Sequence, residues 1–198
     1  MFNEETENSS LLVAHDPDWK GEFAALRAVF ERSLDDLILG IEHVGSTAVP
    51  GLLAKPILDI DIVMRDYSVF PPIVEKLSEL GYEHKGDQGI PGREAFKPKS
   101  GPAPVVVPPR AFMRHHLYVC PASGAELRRH LNFRDALLAR GDLRREYEKM
   151  KASIAERSNG DKGIYAKIKE AECREFVERV LTEYAGLKGP DREFSGAF

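Results

Sequence analysis

Long apolar runs are missing from this chain of 198 residues, and no stretch approaches the length that a membrane-spanning helix needs. A membrane partner is not expected. Cysteine is scarce. Cys120 and Cys173 lie far apart and outside any metal-ligand spacing, which reads as two reduced thiols rather than a disulfide framework or a thiolate metal site. Charge of one sign is lacking too, since 28 Lys and Arg against 32 Asp and Glu leave a formal net charge of −4. That balance gives no general pull toward nucleic acid or anionic lipid. Basic residues between positions 128 and 151 are interspersed with acids and carry no aromatic stacking motif, so they read as solvated helix faces rather than a nucleic-acid groove. No internal repeat is present. The opening MFNEETENSS has neither the basic start nor the apolar core of a signal peptide, so a cytoplasmic protein is expected.

What is present is a globular composition, 42% hydrophobic and 30% charged, in a chain long enough to bury a core without disulfides. Residues 1–10 read as a disordered lead, 11–185 as one domain, with 122–185 as a helical cover, and 186–198 as a disordered tail. Leu11–Ala14 suits a short strand or a segment merely packed on the fold. Asp16 and Pro17 suit the cap and first position of a helix running to Ser33, with Trp19, Phe23, Leu26 and Phe30 on its core stripe. Strands are expected at Leu37–Val44, Ile57–Met64, Tyr82–Lys85, Arg93–Pro98 and His116–Cys120, and an edge segment at Val105–Val107. A helix from Ser68 and Pro71-Pro72 buries Ile73, Val74, Leu77 and Leu80 and stops at Gly81. Three helices close the chain, at about Ser123–Ala139, Asp142–Arg157 and Asp161–Tyr184, with Gly141 and Gly160 at the breaks. Strands mostly first and helices mostly after imply an α+β fold, with a mixed sheet, flanking helices and a helical C-terminal segment.

The chain is organised around IEHVGSTAVPGLLAKPILDIDIVM, residues 41–64. Its second apolar run carries Asp59 and Asp61. Strand residues two apart share a face, roughly 6.5 Å from Cα to Cα. Two acids on one face of a buried strand are costly unless a metal, a cation or solvent meets them. They are candidates for holding a divalent cation through oxygen ligands; the alternative is a wet edge strand. The preceding loop, Gly45-Ser46-Thr47, offers small residues and hydroxyls to an anion, although neither a Walker ending nor a GxGxxG fingerprint is there.

Gly45-Ser46 ahead of Asp59-Ile60-Asp61 resembles the GS…DhD pattern of the nucleotidyltransferase superfamily. The fuller string HVGSTAVPGLLAKPILDIDI resembles the GrpB family, whose members resemble that fold. The likeness continues through His115–Val119, Phe133-Arg134-Asp135 and Tyr147…Lys151, over residues 11–184. The resemblance implies that Asp59 and Asp61 hold magnesium while Gly45 and Ser46 hold a triphosphate, with Thr47 beside them a candidate from the loop itself. A third acid would be expected on the His116–Cys120 strand, which instead offers His116 and Tyr118. His116 is then the candidate base, because an ordinary imidazole titrates near neutrality; the alternative is a structural histidine with its hydrogen bonds satisfied.

The helices add basic candidates. Leu127, Leu131 and Leu138 form one stripe with Arg134 in its middle, and an arginine on a packing face needs an anionic partner. That partner is either the carboxylate pair or a substrate phosphate, or else Asp135 or another internal acid. Tyr147 with Lys151, and Tyr165 with Lys169, sit one helical turn apart. Both pairs suit a nucleotide surface or, more simply, buried stems with wet heads. Lys55 and Arg114 are further phosphate-ligand candidates. The expectation is a magnesium-dependent nucleotidyltransferase-like protein acting on an NTP and a hydroxyl acceptor. The alternatives are an idle module that binds a nucleotide or another phosphorylated small molecule, and an adaptor in which the acids pair with Arg134.

Overall fold

The structure, a computed structural model, describes residues 11–185. The expected disordered lead and tail lie outside the described residues. Five strands form one sheet: β1 (Ile38–Val44), β2 (Leu58–Met64), β3 (Tyr82–His84), β4 (Glu94–Pro98) and β5 (His115–Pro121). Their spatial order is β1-β2-β5-β4-β3. β2 and β5 run parallel and every other neighbouring pair is antiparallel, so the sheet is mixed.

The alternation of β2 decides what lies on each face. Leu58, Ile60, Ile62 and Met64 enter one core with Leu26, Phe30 and Leu34 of α1 (Trp19–Leu34) and with Ile73 and Leu77 of α2 (Phe70–Glu79). The period of two sends Asp59, Asp61 and Val63 to the other face. There Val63 packs with Leu127 and Leu131 of α3 (Ala125–Ala139). Register places Asp59 beside His116 and Asp61 beside Tyr118 on β5, with Glu42 opposite Asp61 on β1. A second core holds α4 (Gly141–Arg157) and α5 (Lys162–Ala185) together through Leu143, Tyr147, Ile154, Phe176 and Val180. Tyr147 stacks on Phe176 with ring centroids 5.4 Å apart.

Several boundaries differ from the sequence expectation for local reasons. Asp16 does not cap α1. Its carboxylate accepts the Asp18 N–H at 2.9 Å, making a turn that delays the helix to Trp19. Leu11–Ala14 forms only an isolated bridge between Val13 and Ala54. Val105–Val107 is not a strand; Val105 N–H donates to Leu80 O at 2.9 Å and Val107 stays 96% exposed. Gly141 lies inside α4, and the break falls on extended Arg140. Leu138 is 44% exposed, with Leu137 buried instead. The reason is that α3 packs its first half on the sheet and its second half on α4 and α5, so its buried face turns along its length. No helix among the described residues is long and apolar enough to cross a membrane.

Candidate functional site

A cavity of about 590 Å³ lies between the acid-bearing face of the sheet and the C-terminal helices. Its lining includes Ser46 and Thr47 of the turn after β1, and Asp59 with His116. Gly45 has φ +71°, and a Cβ there would sit 2.2 Å from Asp59 Oδ2. Glycine is therefore required twice over, by backbone angle and by the carboxylate packed against it. Asp59 Oδ1 accepts from His116 Nδ1 at 2.9 Å, and both side chains reach the cavity. His116 Nε2 is left without its proton in that tautomer, pointing a basic nitrogen away from the carboxylate.

Asp61 has a different fate. It is completely buried, and its Oδ2 accepts from His130 Nδ1 at 2.7 Å, while Oδ1 has no partner. The other ring nitrogen of His130 lies 3.2 Å from Glu126. Desolvation alone would lower the imidazole, but the hydrogen bonds to Asp61 and Glu126 outweigh it and push it up to about 10. An imidazolium is thus clamped between two carboxylates through the neutral range. The sequence reading passed over His130. Its signal is the spacing Glu126–His130–Arg134, three residues at successive intervals of four that place them on one helix face.

The same cavity carries three cationic side chains. Lys55, from the loop before β2, lies 4.2 Å from the ring centroid of Tyr165. Lys151 is only 1% exposed and donates to Ser46 Oγ at 3.2 Å and to Leu53 O. Burial and then neighbouring Lys169 pull it down to about 7. Lys169 is displaced the other way by Tyr147, Tyr165 and Asp59 around it. Ser46, Lys55, Lys151 and Lys169 all line the cavity with Asp59 and His116.

Other expected site residues sit elsewhere or serve the fold. Thr47 belongs to the cavity lining but is buried, and its hydroxyl is taken by His43 Nε2 at 2.9 Å and Ile57 O at 3.5 Å. His43 stacks on Phe23, and burial brings it down to about 4, so it is a neutral structural imidazole. Arg114 is exposed and outside the cavity lining. Arg134 pairs with neither Asp59 nor Asp61. It binds Glu42 at 2.7 Å, His43 O at 2.9 Å and Asp135 at 2.9 Å, so an internal ion pair takes its charge.

The donor chemistry of the two acids suits a hard divalent cation. Asp61 Oδ1 is a buried carboxylate oxygen without a partner, and Asp59 Oδ2 is held against the Gly45 backbone, so each acid keeps one oxygen that no histidine takes. Among the described residues no group of three or more His, Cys, Asp or Glu side chains is arranged to hold a metal. Further ligands would have to come from a bound phosphate and water.

A glycine–serine turn after β1, an acid pair on adjacent β2 with Asp59 reaching a cavity, and helices closing that cavity over the sheet define an α+β domain with a mixed five-stranded sheet. Residues 10–181 match the family described as GrpB protein, and the chain belongs to that family. It is 31% identical over 176 residues to the glutamate-rich protein GrpB of Alkalihalophilus pseudofirmus, covering 87% of this chain and 94% of that one. A UPF0157 protein of Pseudomonas aeruginosa is 36% identical over 167 residues, covering 84% of this chain and 64% of its relative. The crystal structure of conserved protein GrpB from Enterococcus faecalis superposes with a TM-score of 0.71 at 25% identity, over 87% of this chain and 98% of that one.

Proposed function

We propose that the cavity binds a nucleoside triphosphate with magnesium and transfers its nucleotidyl group to a hydroxyl acceptor. One observation carries this reading: Asp59 and His116 share the lining of a single cavity of about 590 Å³ with Lys55, Lys151 and Lys169, a volume within the usual ligand-pocket range of roughly 300–1,000 Å³. Asp59, which lines the cavity, would hold the cation through the oxygen that His116 leaves free, and Asp61, which does not line it, would add only its unpartnered Oδ1. When bound, magnesium would neutralise phosphate charge and polarise the phosphoryl oxygens.

The chain's own groups supply the rest. The three lysines hold and orient the phosphate chain, which is where most rate enhancement in such transfers arises. His116 Nδ1–H donates to Asp59, which fixes the ring with Nε2 available to accept the acceptor's hydroxyl proton. His130 stays protonated and keeps Asp61 in place on the sheet.

A second reading, a binding module without turnover, is favoured by the missing third acid: β5 offers His116 and Tyr118 where a carboxylate would complete the set. Incubation with each α-phosphate-labelled NTP, magnesium and a panel of hydroxyl acceptors separates the two. Labelled product and pyrophosphate, reduced at least about 100-fold in Asp59→Asn, are expected. NTP binding without any pyrophosphate release would sink transfer in favour of the idle module.

A further inference from the structure

Three ammonium groups reach the cavity from three separate segments: Lys55 from the loop before β2, Lys151 from α4 and Lys169 from α5. Among the described residues none of them forms an ion pair with a carboxylate. The arginines of the same cavity are paired: Arg129 with Glu178 at 2.6 Å and Arg174 with Glu170 at 3.8 Å. The lining acids Asp59 and Glu126 are taken by His116 and His130. In direct contact, cationic charge at this pole is met only by neutral groups, Ser46 Oγ, Leu53 O and the ring faces of Tyr147 and Tyr165, while Asp59 and Glu148 act on Lys169 and Lys151 without pairing with them. Such contacts compensate a buried charge incompletely, and the deficit marks a place for an anion.

We propose that Lys55, Lys151 and Lys169 form one polyphosphate-binding pole of the cavity, and that filling it draws a proton from solvent onto Lys151. The proposal rests on the phosphate-ligand reading above, but on neither metal nor turnover. Three cations in one pole suit a chain of phosphates, whether inorganic or part of a nucleotide, better than a single carboxylate.

The groups around Lys151 explain the coupling. Lys169 on α5 repels its charge, while Glu148 on its own helix supports it from a carboxylate that also accepts the Leu53 N–H at 3.2 Å. Cys173 on α5 adds little, because burial keeps its thiol protonated. Tyr147, Ser46 and Leu53 O contribute dipoles only. Burial and Lys169 leave Lys151 near 7, and Lys55 is likewise lowered by burial and by Lys169 and Lys162. In the free protein at neutral pH, Lys151 therefore carries only part of a charge. A phosphate anion supplies the missing counter-charge, and the amine regains its proton. Affinity consequently falls as pH rises above about 7, approaching a tenfold loss per pH unit.

Isothermal titration of the full chain with inorganic pyrophosphate, in EDTA at neutral pH and in two buffers of different ionisation enthalpy, tests this. The wild type is compared with Lys151→Arg and Lys169→Gln, each checked by thermal melting. Pyrophosphate should bind the wild type with about half a proton more taken up than in Lys151→Arg, a difference in which the probe's own protons cancel. Lys169→Gln should weaken binding at least about tenfold. If arginine is not accommodated, Lys151→Met supplies the same comparison. No pyrophosphate binding, equal proton counts, or undiminished affinity in Lys169→Gln would overturn the proposal. A parallel titration with NTPs keeps the readings apart: pyrophosphate binding without NTP binding sinks the nucleotide reading alone. NTP binding without the proton difference sinks the coupling alone.

Discussion

Gly45 and His130 show how much depends on single side chains. At Gly45 the backbone is left-handed and Asp59 occupies the space a methyl would need. Gly45→Ala is expected to lose about 1–3 kcal/mol to backbone strain and to push Asp59 out of the cavity wall. Thermal melting and ligand titration should both register it, whereas a melt and an affinity like the wild type's would show the close approach to be unimportant. His130 has a pH signature. It is held up at about 10 in the folded protein against 6.5 for a free imidazole. Its protonation therefore supports the fold fully below about pH 6.5, and that support drains away as pH rises toward 10. His43 acts with the opposite sign, since its value near 4 makes acidification below about 6.5 destabilising. His130→Gln should flatten the alkaline decline in melting temperature between pH 6.5 and 10. An unchanged decline would mean that the clamp on Asp61 does not set it.

Helix α3 is the element that holds the site to the sheet. Glu126, His130 and Arg134 lie on one face, with His130 on Asp61 and Arg134 on Glu42. Removing one partner of such a half-buried pair leaves the other uncompensated, so Arg134→Met should cost about 3–5 kcal/mol. The double variant Arg134→Met/Glu42→Gln should recover part of that loss, and a urea-denaturation cycle measures the coupling. Strict additivity would mean that the two side chains do not act as a pair.

The same helix shows where sequence was informative. Arg134 on a packing stripe announced a buried partner, but nothing local pointed to Glu42, which is 92 residues away. The spacing of four from Glu126 to His130 to Arg134 was there to be read, and it was obscured by the leucines used to phase the helix. The acid pair and the Gly45 turn stood out because charge in an apolar strand and glycine after a strand are local signals. That Asp59 faces a cavity while Asp61 is sealed beneath α3 depends on tertiary packing, which alternation alone cannot supply.

At the scale of the molecule, the sheet, the two covering helices and the helical C-terminal segment follow from periodicity and breaks, with errors of a residue or two at the ends. The cavity does not, because its lining comes from segments as far apart as Ser46 and Lys169. Lys151 and Lys169 looked like ordinary amphipathic side chains with wet heads. The fold instead turns both into the cavity that Asp59 also lines, with Lys151 on Ser46. Occupation of this space should stabilise the whole domain. A ligand at 100 times its dissociation constant adds about 2.7 kcal/mol, which a thermal shift detects readily.

Calorimetric titration of each NTP in the presence of magnesium, with wild type, Asp59→Asn and Lys169→Gln side by side, tests the shared cavity most directly. At least one NTP should bind the wild type and lose at least about tenfold in affinity in both variants, because each removes a charged group from the cavity lining. Absence of binding to the wild type, or affinities unchanged in both variants, would contradict a nucleotide site between Asp59 and the lysines.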